Sequence, residues 1–159
     1  MTDRKLSHVD EAGNARMVDV GNKAISRRTA VAEAQVELCA EAADAVRKSL
    51  IKKGDVLGVA RIAGIAAAKR TDELIPLCHS VPLDKLDVRF EWLGPTRLQI
   101  LSEAVATGRT GVEMEALVAC SNAALTVYDM CKAIDKSIVI ETIRLLEKTG
   151  GANGDYLRG

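Results

Sequence analysis

Aromatic side chains are scarce in this chain of 159 residues: Phe90, Trp92, Tyr128 and Tyr156 are all it has. Lysine plus arginine number 22, as do aspartate plus glutamate, so there is no formal net charge. Broad nucleic-acid binding draws on a basic surplus to neutralise phosphates and on aromatic faces to stack bases. The two shortages together argue against a general DNA or RNA binder. The four cysteines, Cys39, Cys78, Cys120 and Cys131, include no CxxC pair and no histidine at finger spacing. They read as reduced thiols in a reducing compartment. No apolar run follows the polar start Met1 to Val9, so no signal peptide is expected. The most apolar stretch, around Val56 to Ala68, is interrupted by Arg61 and too short to span a bilayer. A soluble cytoplasmic protein follows as the expectation.

What is present is an ordinary globular composition, long enough for one domain, 1–159, with a full core and no disulfide or metal staples. With so few aromatics, that core must be built from Ala, Val, Ile and Leu. Residues 1–16 have no hydrophobic period and read as an N-terminal arm; 150–159 read as a Gly-rich tail. From Arg28 to Leu38 apolar residues fall on even positions and Glu33, Gln35 and Glu37 on the other face, the pattern of a half-buried strand. Ala42, Ala45, Val46, Ser49 and Leu50 predict a helix ending near Lys52 and Lys53 at Gly54, and Asp55 can cap a second helix from Val56. Thr71 to Leu74 adds a helical turn, and Pro76 to Pro82 a loop. Two alternating runs around the Gly94-Pro95 turn form a hairpin. Val112 to Ile134 is a long, nearly uncharged helix, and Ile138 to Lys148 a last strand. The order matches the βαββαβ motif of ferredoxin-like α+β folds, an antiparallel sheet with helices packed on one face. The bare opposite face and the apolar long helix predict oligomerisation.

Several polar clusters at element ends are candidates for chemistry. Cys78-His79 lacks the spaced companions of a metal site, and adjacency alone does not activate a thiol; a packed cysteine with a loop histidine is the plainer reading, a ligand-contacting histidine the middle one. Glu113 and Glu115 stand about 200° apart on a regular helix, so one of them alone, or an irregular first turn, would serve a single site. Complementing the helix dipole is their mundane alternative. Asp129 and Lys132 share a helix face, where an ion pair is the bland reading. On a helix otherwise almost free of charge, however, they point to function. Glu115 and Asp129 are separated by about 21 Å of straight helix, so if both serve one substrate, two subunits must contribute. Lys53, Lys69, Arg70, Arg109 and Lys148 lie near Gly-rich turns and could converge on a polyphosphate, although neither a Walker nor a dinucleotide motif is present.

Seven segments in order, Met17 to Val20, Lys53 to Val56, Ala60 to Ile65, Ala67 to Thr71, Leu74 to His79, Thr110 to Leu117 and Tyr128 to Ala133, closely resemble the MoaC family of molybdenum cofactor biosynthesis. The likeness runs from about Leu6 to Gly154. It implies a lyase that rearranges a 3′,8-cyclised dihydro-GTP to cyclic pyranopterin monophosphate and releases pyrophosphate. It also implies a ferredoxin-like fold, a homohexamer built as a trimer of dimers, and sites at the dimer interface. By position in the family's pattern, Lys53 and Lys132 correspond to catalytic lysines and Asp129 to the residue marked active. Leu77, Cys78, His79, Met114 and Glu115 correspond to substrate-contacting positions, and Glu113, Lys23, Arg28 and Lys148 to accessory polar ones. Ser80 and Ala152 depart from the pattern, where relatives commonly have proline and some have lysine.

On that reading Asp129 and Lys132 are paired acid and base groups, and Lys53 donates or abstracts a proton. Burial among cations would lower its pKa and suit it to this task. Arg28 and Lys148 hold phosphate oxygens. No metal-ligand set and no cofactor motif is visible, so the departing pyrophosphate is expected to rest mainly on lysines and arginines, with an assisting magnesium held through the phosphates as the open alternative. The partners implied are a small-molecule substrate and copies of the same chain, with no nucleic acid and no membrane. The rival reading is a non-catalytic, nucleotide-binding ferredoxin-like regulator; an RNA-binding sheet is weaker, since only Phe90 and Trp92 could stack bases.

Overall fold

The hydrophobic alternation along the chain's central strand sets the layers of the molecule. In the computed structural model, which describes residues 12–152 and 154–159, β1 (Ser26–Glu37) pairs antiparallel with β3 (Arg97–Gly108) on one side and β4 (Val139–Thr149) on the other. β2 (Lys85–Trp92) extends the sheet beyond β3, and β5 (Tyr156–Leu157) beyond β4, giving the order β2-β3-β1-β4-β5. Ala30, Ala32, Ala34 and Val36 of β1, with Leu98, Ile100 and Ala104 of β3, are fully buried on one face. All four helices, α1 (Ala40–Arg47), α2 (Val56–Ala68), α3 (Thr71–Leu74) and α4 (Glu113–Cys131), contribute to an α+β arrangement. α4 lies against β1, β3 and β4, and α2 lies against α4 and β2.

The small core residues have a direct packing consequence. Ala116, Ala119, Cys120, Ala123, Ala124 and Val127 bury α4 against its neighbours, and only Leu125 and Asp129 of its 19 residues are exposed. α2 approaches so closely that a Cβ on Gly64 would lie 2.7 Å from the Ala119 carbonyl oxygen. Ser102 Oγ donates to the Ala116 carbonyl at 2.6 Å, tying β3 to the same helix.

The opposite sheet face is polar. Glu33, 2% exposed, accepts from Arg144 Nε at 2.6 Å and Gln99 Nε2 at 2.5 Å. Burial works to raise its pKa, but these bonds and one with Gln35 outweigh it and hold the carboxyl below its ordinary value. The alternation therefore marked the faces correctly, but Glu33 is buried on the polar side by its partners.

Asp55 caps α2 as expected, Oδ1 accepting from the Gly58 amide at 3.0 Å, a contact worth about 1 kcal/mol. Two helix ends differ from the sequence reading. α1 stops at Arg47 instead of near Lys53, because Ser49 adopts φ 54° and the Leu50 amide turns back to the Ala45 carbonyl. Gly54, with φ 100°, instead closes a turn by donating to the Ile51 carbonyl. α4 ends at Cys131 rather than Ile134, where Asp135 accepts from the Ser137 amide and hydroxyl and from the Cys39 amide. The tail also holds the short β5, returned onto β4 after Gly150, Gly151 and Gly154, all at positive φ. Of the expected arm, residues 1–11 lie outside the described residues, as does Asn153 of the tail. Among the described residues, no helix is long and apolar enough to cross a membrane.

The Gly64 contact predicts that Gly64→Val lowers unfolding stability by about 1–3 kcal/mol through overpacking. At Gly94, where nothing lies within 4 Å of an added Cβ, an alanine should change it by less than about 0.5 kcal/mol. Urea denaturation of both variants checks the pair, and equal effects would remove the packing argument.

Candidate active site

Candidate residues gather at the two ends of α4. At its N-terminal end a cavity of about 840 Å³ opens between the starts of β1 and α4 and the ends of β3 and β4. Lys23, Arg28, Arg109 and Lys148 line it, with Glu113 as the one carboxylate among the described residues. Lys148 Nζ contacts Glu113 Oε1 at 3.1 Å, Arg28 Nε donates to the Gly108 carbonyl at 3.4 Å, and Arg109 Nε to the Lys23 carbonyl at 3.2 Å. A smaller cavity of about 310 Å³ is lined by Leu77, Cys78, Met114 and Glu115. His79, Thr110, Gly111 and Glu113 line both, which makes one continuous cleft. His79 Nε2 lies 2.7 Å from the Val18 carbonyl and so fastens the segment before β1 to the cleft.

The electrostatics of the smaller cavity differ from those of the larger. Glu115 is 4% exposed, and burial, helped by the charges of Glu113 and Asp72, pushes its pKa up to about 7. It is therefore poised between acid and carboxylate near neutral pH. The Cys78 thiol is pushed up by burial and by Glu115 and Asp72, which disfavours the thiolate and leaves no support for a nucleophilic cysteine. Among the described residues, no three His, Cys, Asp and Glu side chains gather to hold a metal ion.

At the other end of α4, Asp129 joins two lysines. Lys132 Nζ donates to Oδ1 at 2.5 Å, and Lys53 Nζ to Oδ2 at 3.0 Å and to the Asp129 carbonyl at 2.7 Å. Lys53 arrives from the turn between α1 and α2, so the early end of α1 and the capped start of α2 place it there. Hydrogen bonds from Lys132 and Lys53 hold Asp129 below the usual carboxylate range, and the bond to Asp129 raises Lys132. All three side chains are about half exposed. The expected setting for Lys53, burial among cations, is thus corrected: in this chain it rests half exposed on a carboxylate.

The structure brings Lys23, Arg28, His79, Glu113 and Lys148 together and joins Lys53 to Asp129 and Lys132, but it keeps these groups apart. Fourteen residues of continuous helix separate Glu115 from Asp129, about 21 Å. Lys69 and Arg70 line neither cavity; Arg70 pairs with Glu73 at the surface instead. Sequence reading missed Ser26 in the cleft and Asp135 behind the Asp129 end. For Asp135 the signal was available in the Asp-Lys-Ser spacing of an Asx turn. Ser26 carries no motif.

Because Glu115 keeps its proton in the folded state up to about pH 7, the unfolded chain releases that proton first as pH rises from about 4.5. Its contribution therefore lowers stability across that window, by up to about 3 kcal/mol in full. Glu115→Gln should stabilise the protein by about 1–3 kcal/mol near pH 8 and give no such gain near pH 5. Urea midpoints at the two pH values test this; a gain independent of pH would contradict it.

A sequence profile of the MoaC family matches residues 17–151. The chain is 52% identical over 159 residues to the cyclic pyranopterin monophosphate synthase of Brevibacillus brevis, covering 100% of this chain and 99% of that one. It is 53% identical over 154 residues to that of Desulfitobacterium hafniense, covering 97% and 94% of the two chains. With the corresponding protein of Heliobacterium modesticaldum it shares 56% identity over 155 residues, covering 96% and 97%. Similarity of this extent, along essentially the whole length of each relative, makes the chain a member of the MoaC family.

Proposed function

We propose that this chain is a cyclic pyranopterin monophosphate synthase, a lyase of molybdenum cofactor biosynthesis acting on 3′,8-cyclised dihydro-GTP. Full-length identity above 50% to several proteins so named carries the reading. The cleft supports it chemically. Four cations around a cavity of about 840 Å³ suit a triphosphate, and the smaller cavity beside it offers Glu115 and His79 to the polar edge of a ring system.

The chemistry assigned to the residues is as follows. A hydroxyl of the sugar-derived part of the substrate attacks the α-phosphorus and gives up its proton, while the bond from that phosphorus to the bridging oxygen of pyrophosphate breaks. Arg28, Lys23 and Lys148 offset the charge on the departing group. Opening the five-membered ring and rebuilding it as a pterin needs proton transfers at nitrogen and carbon, assigned to Lys53, Asp129 and Lys132. With Asp129 ionised and Lys132 raised in pKa, Lys132 enters as an ammonium and serves first as an acid or an anion-holding cation. Glu113, Met114, Leu77 and Cys78 shape the ring-binding side.

A site so divided calls for a second copy of the chain, whose Asp129 end meets the cleft of the first. Exposed Val59, Ile62, Leu74 and Leu125 on the helical side support assembly, read here as a homohexamer built as a trimer of dimers. The strand order β4-β1-β3-β2, ignoring the short β5, supports a ferredoxin-like arrangement in one domain over 1–159. A cytoplasmic enzyme fits four free cysteines, of which Cys120 and Cys131 are buried.

Supplied with the cyclised dihydro-GTP, the wild-type protein should release pyrophosphate and form the pterin product, and a failure to do so would sink the enzyme assignment. Lys53→Ala, Lys132→Ala and Asp129→Asn should each lower turnover by about 10²-fold or more, the usual scale for a lost proton-transfer group, while the far-UV circular dichroism stays that of the wild type. Turnover near the wild-type rate in any of them would remove that residue from its assigned role.

A further inference from the structure

One residue that lines the larger cavity carries a polar atom that the described residues leave unsatisfied. Ser26 Oγ is shielded from solvent and has no hydrogen-bond partner among the described residues, and Ser26 lines the cavity with Arg28, Arg109 and Lys148. Buried hydroxyls are normally paired, so an orphan carried by a residue that lines a cavity asks for a partner from outside the chain. Ser26 opens β1 two residues before Arg28, and side chains two apart on a strand point to the same side. Ser26 and Arg28 therefore line the cavity from one edge of the sheet.

The wall opposite is shaped by glycine. Gly150 and Gly151 take φ 86° and 96°; a Cβ on Gly151 would lie 1.6 Å from Arg28 Nη1, and one on Gly150 would lie 2.2 Å from the Arg27 carbonyl oxygen. Any side chain at Gly151 would force the guanidinium out of its place. The glycine pair thus lets the backbone fold tightly over Arg28 and keeps the cavity open beside Ser26. The sign of the ligand follows from the lining. Among the described residues its single carboxylate, Glu113, is already engaged by Lys148, and the other charged side chains that line it are cations. α4 also begins at this cavity with no side chain capping its first amides.

We infer that Ser26 is a phosphate-binding residue, its hydroxyl donating to the pyrophosphate portion of the substrate, with Gly151 positioning Arg28 beside it. The assignment rests on the lyase reading for the identity of the anion, but its geometry concerns the seat alone. A hydroxyl hydrogen bonded to an anionic oxygen gives Ser26→Ala a distinct double signature. Removing an unsatisfied buried hydroxyl leaves the ligand-free protein as stable as before or more stable, while removing the donor weakens anion binding.

The test is calorimetric titration of the full chain with inorganic pyrophosphate in the absence of divalent metal, alongside urea denaturation. Ser26→Ala should weaken pyrophosphate about tenfold or more without lowering the urea midpoint, and Ser26→Thr, which keeps the hydroxyl, should bind within about twofold of wild type. Gly151→Ala should also weaken binding about tenfold by displacing Arg28. Wild type that fails to bind pyrophosphate, or Ser26→Ala that binds as tightly as wild type, overturns the inference. So does Ser26→Thr binding as weakly as Ser26→Ala. Turnover of the cyclised dihydro-GTP is measured separately. A wild type inactive on that substrate whose pyrophosphate binding still depends on Ser26 would leave the seat standing and the lyase reading fallen, and an active wild type with an indifferent Ser26 would do the reverse.

Discussion

The burial of α4 on nearly every side constrains everything else in this molecule. A helix pressed between a sheet and α2, with Gly64 against the Ala119 carbonyl, has no room for charge along its middle. A charged group placed there would lose its hydration without gaining a partner. Side chains charged near neutral pH are consequently confined to the two ends: Glu113 and Glu115 at the first turn, Asp129 and its neighbour Lys132 at the last. Polar chemistry is pushed outward to places where loops and strand ends can add cations, and those places are about 21 Å apart along the helix.

The two ends offer different electrostatic settings, and the contrast explains how one small chain can carry both binding and proton transfer on the proposed reading. At the first turn burial dominates, so Glu115 rises to about 7 and Cys78 is disfavoured as a thiolate. At the last turn hydrogen bonding to charged partners dominates. Asp129 falls, Lys132 rises, and the pair stays ionised across the neutral range. Groups whose environments push them in opposite directions are the usual raw material of acid and base roles.

Much of this was legible in the sequence for physical reasons that can be named. Even-numbered apolar residues in β1 announced a half-buried strand, Asp55 announced a cap, and the uncharged run after Val112 announced a buried helix. The end of α1 was not legible, because a left-handed serine at Ser49 stopped the helix where Gly54 looked the natural stop. β5 was hidden by its brevity and by the glycines that precede it. Within the candidate site, Asp129 and Lys132 stood out because charge is rare on their helix. Lys148 stood out beside a Gly-rich turn and Arg28 only through family likeness; their convergence was not legible, since it depends on β1 pairing with β4, Ala30 opposite Lys148, across more than a hundred residues of chain. Ser26 was invisible for the same reason: a serine opening a strand signals nothing until the cavity around it is known.

The central claim is that one working site is made from the cleft of one copy and the Asp129 end of another. Mixing a Lys132→Ala chain with an Arg28→Ala chain, after reversible dissociation and reassembly, tests it most directly. If sites are shared between two copies in a dimer, random pairing gives heterodimers with one intact site each, and pyrophosphate release should recover to about a quarter of the wild-type rate. Activity no greater than the sum of the two parent variants, with mixed assembly demonstrated, would contradict the account.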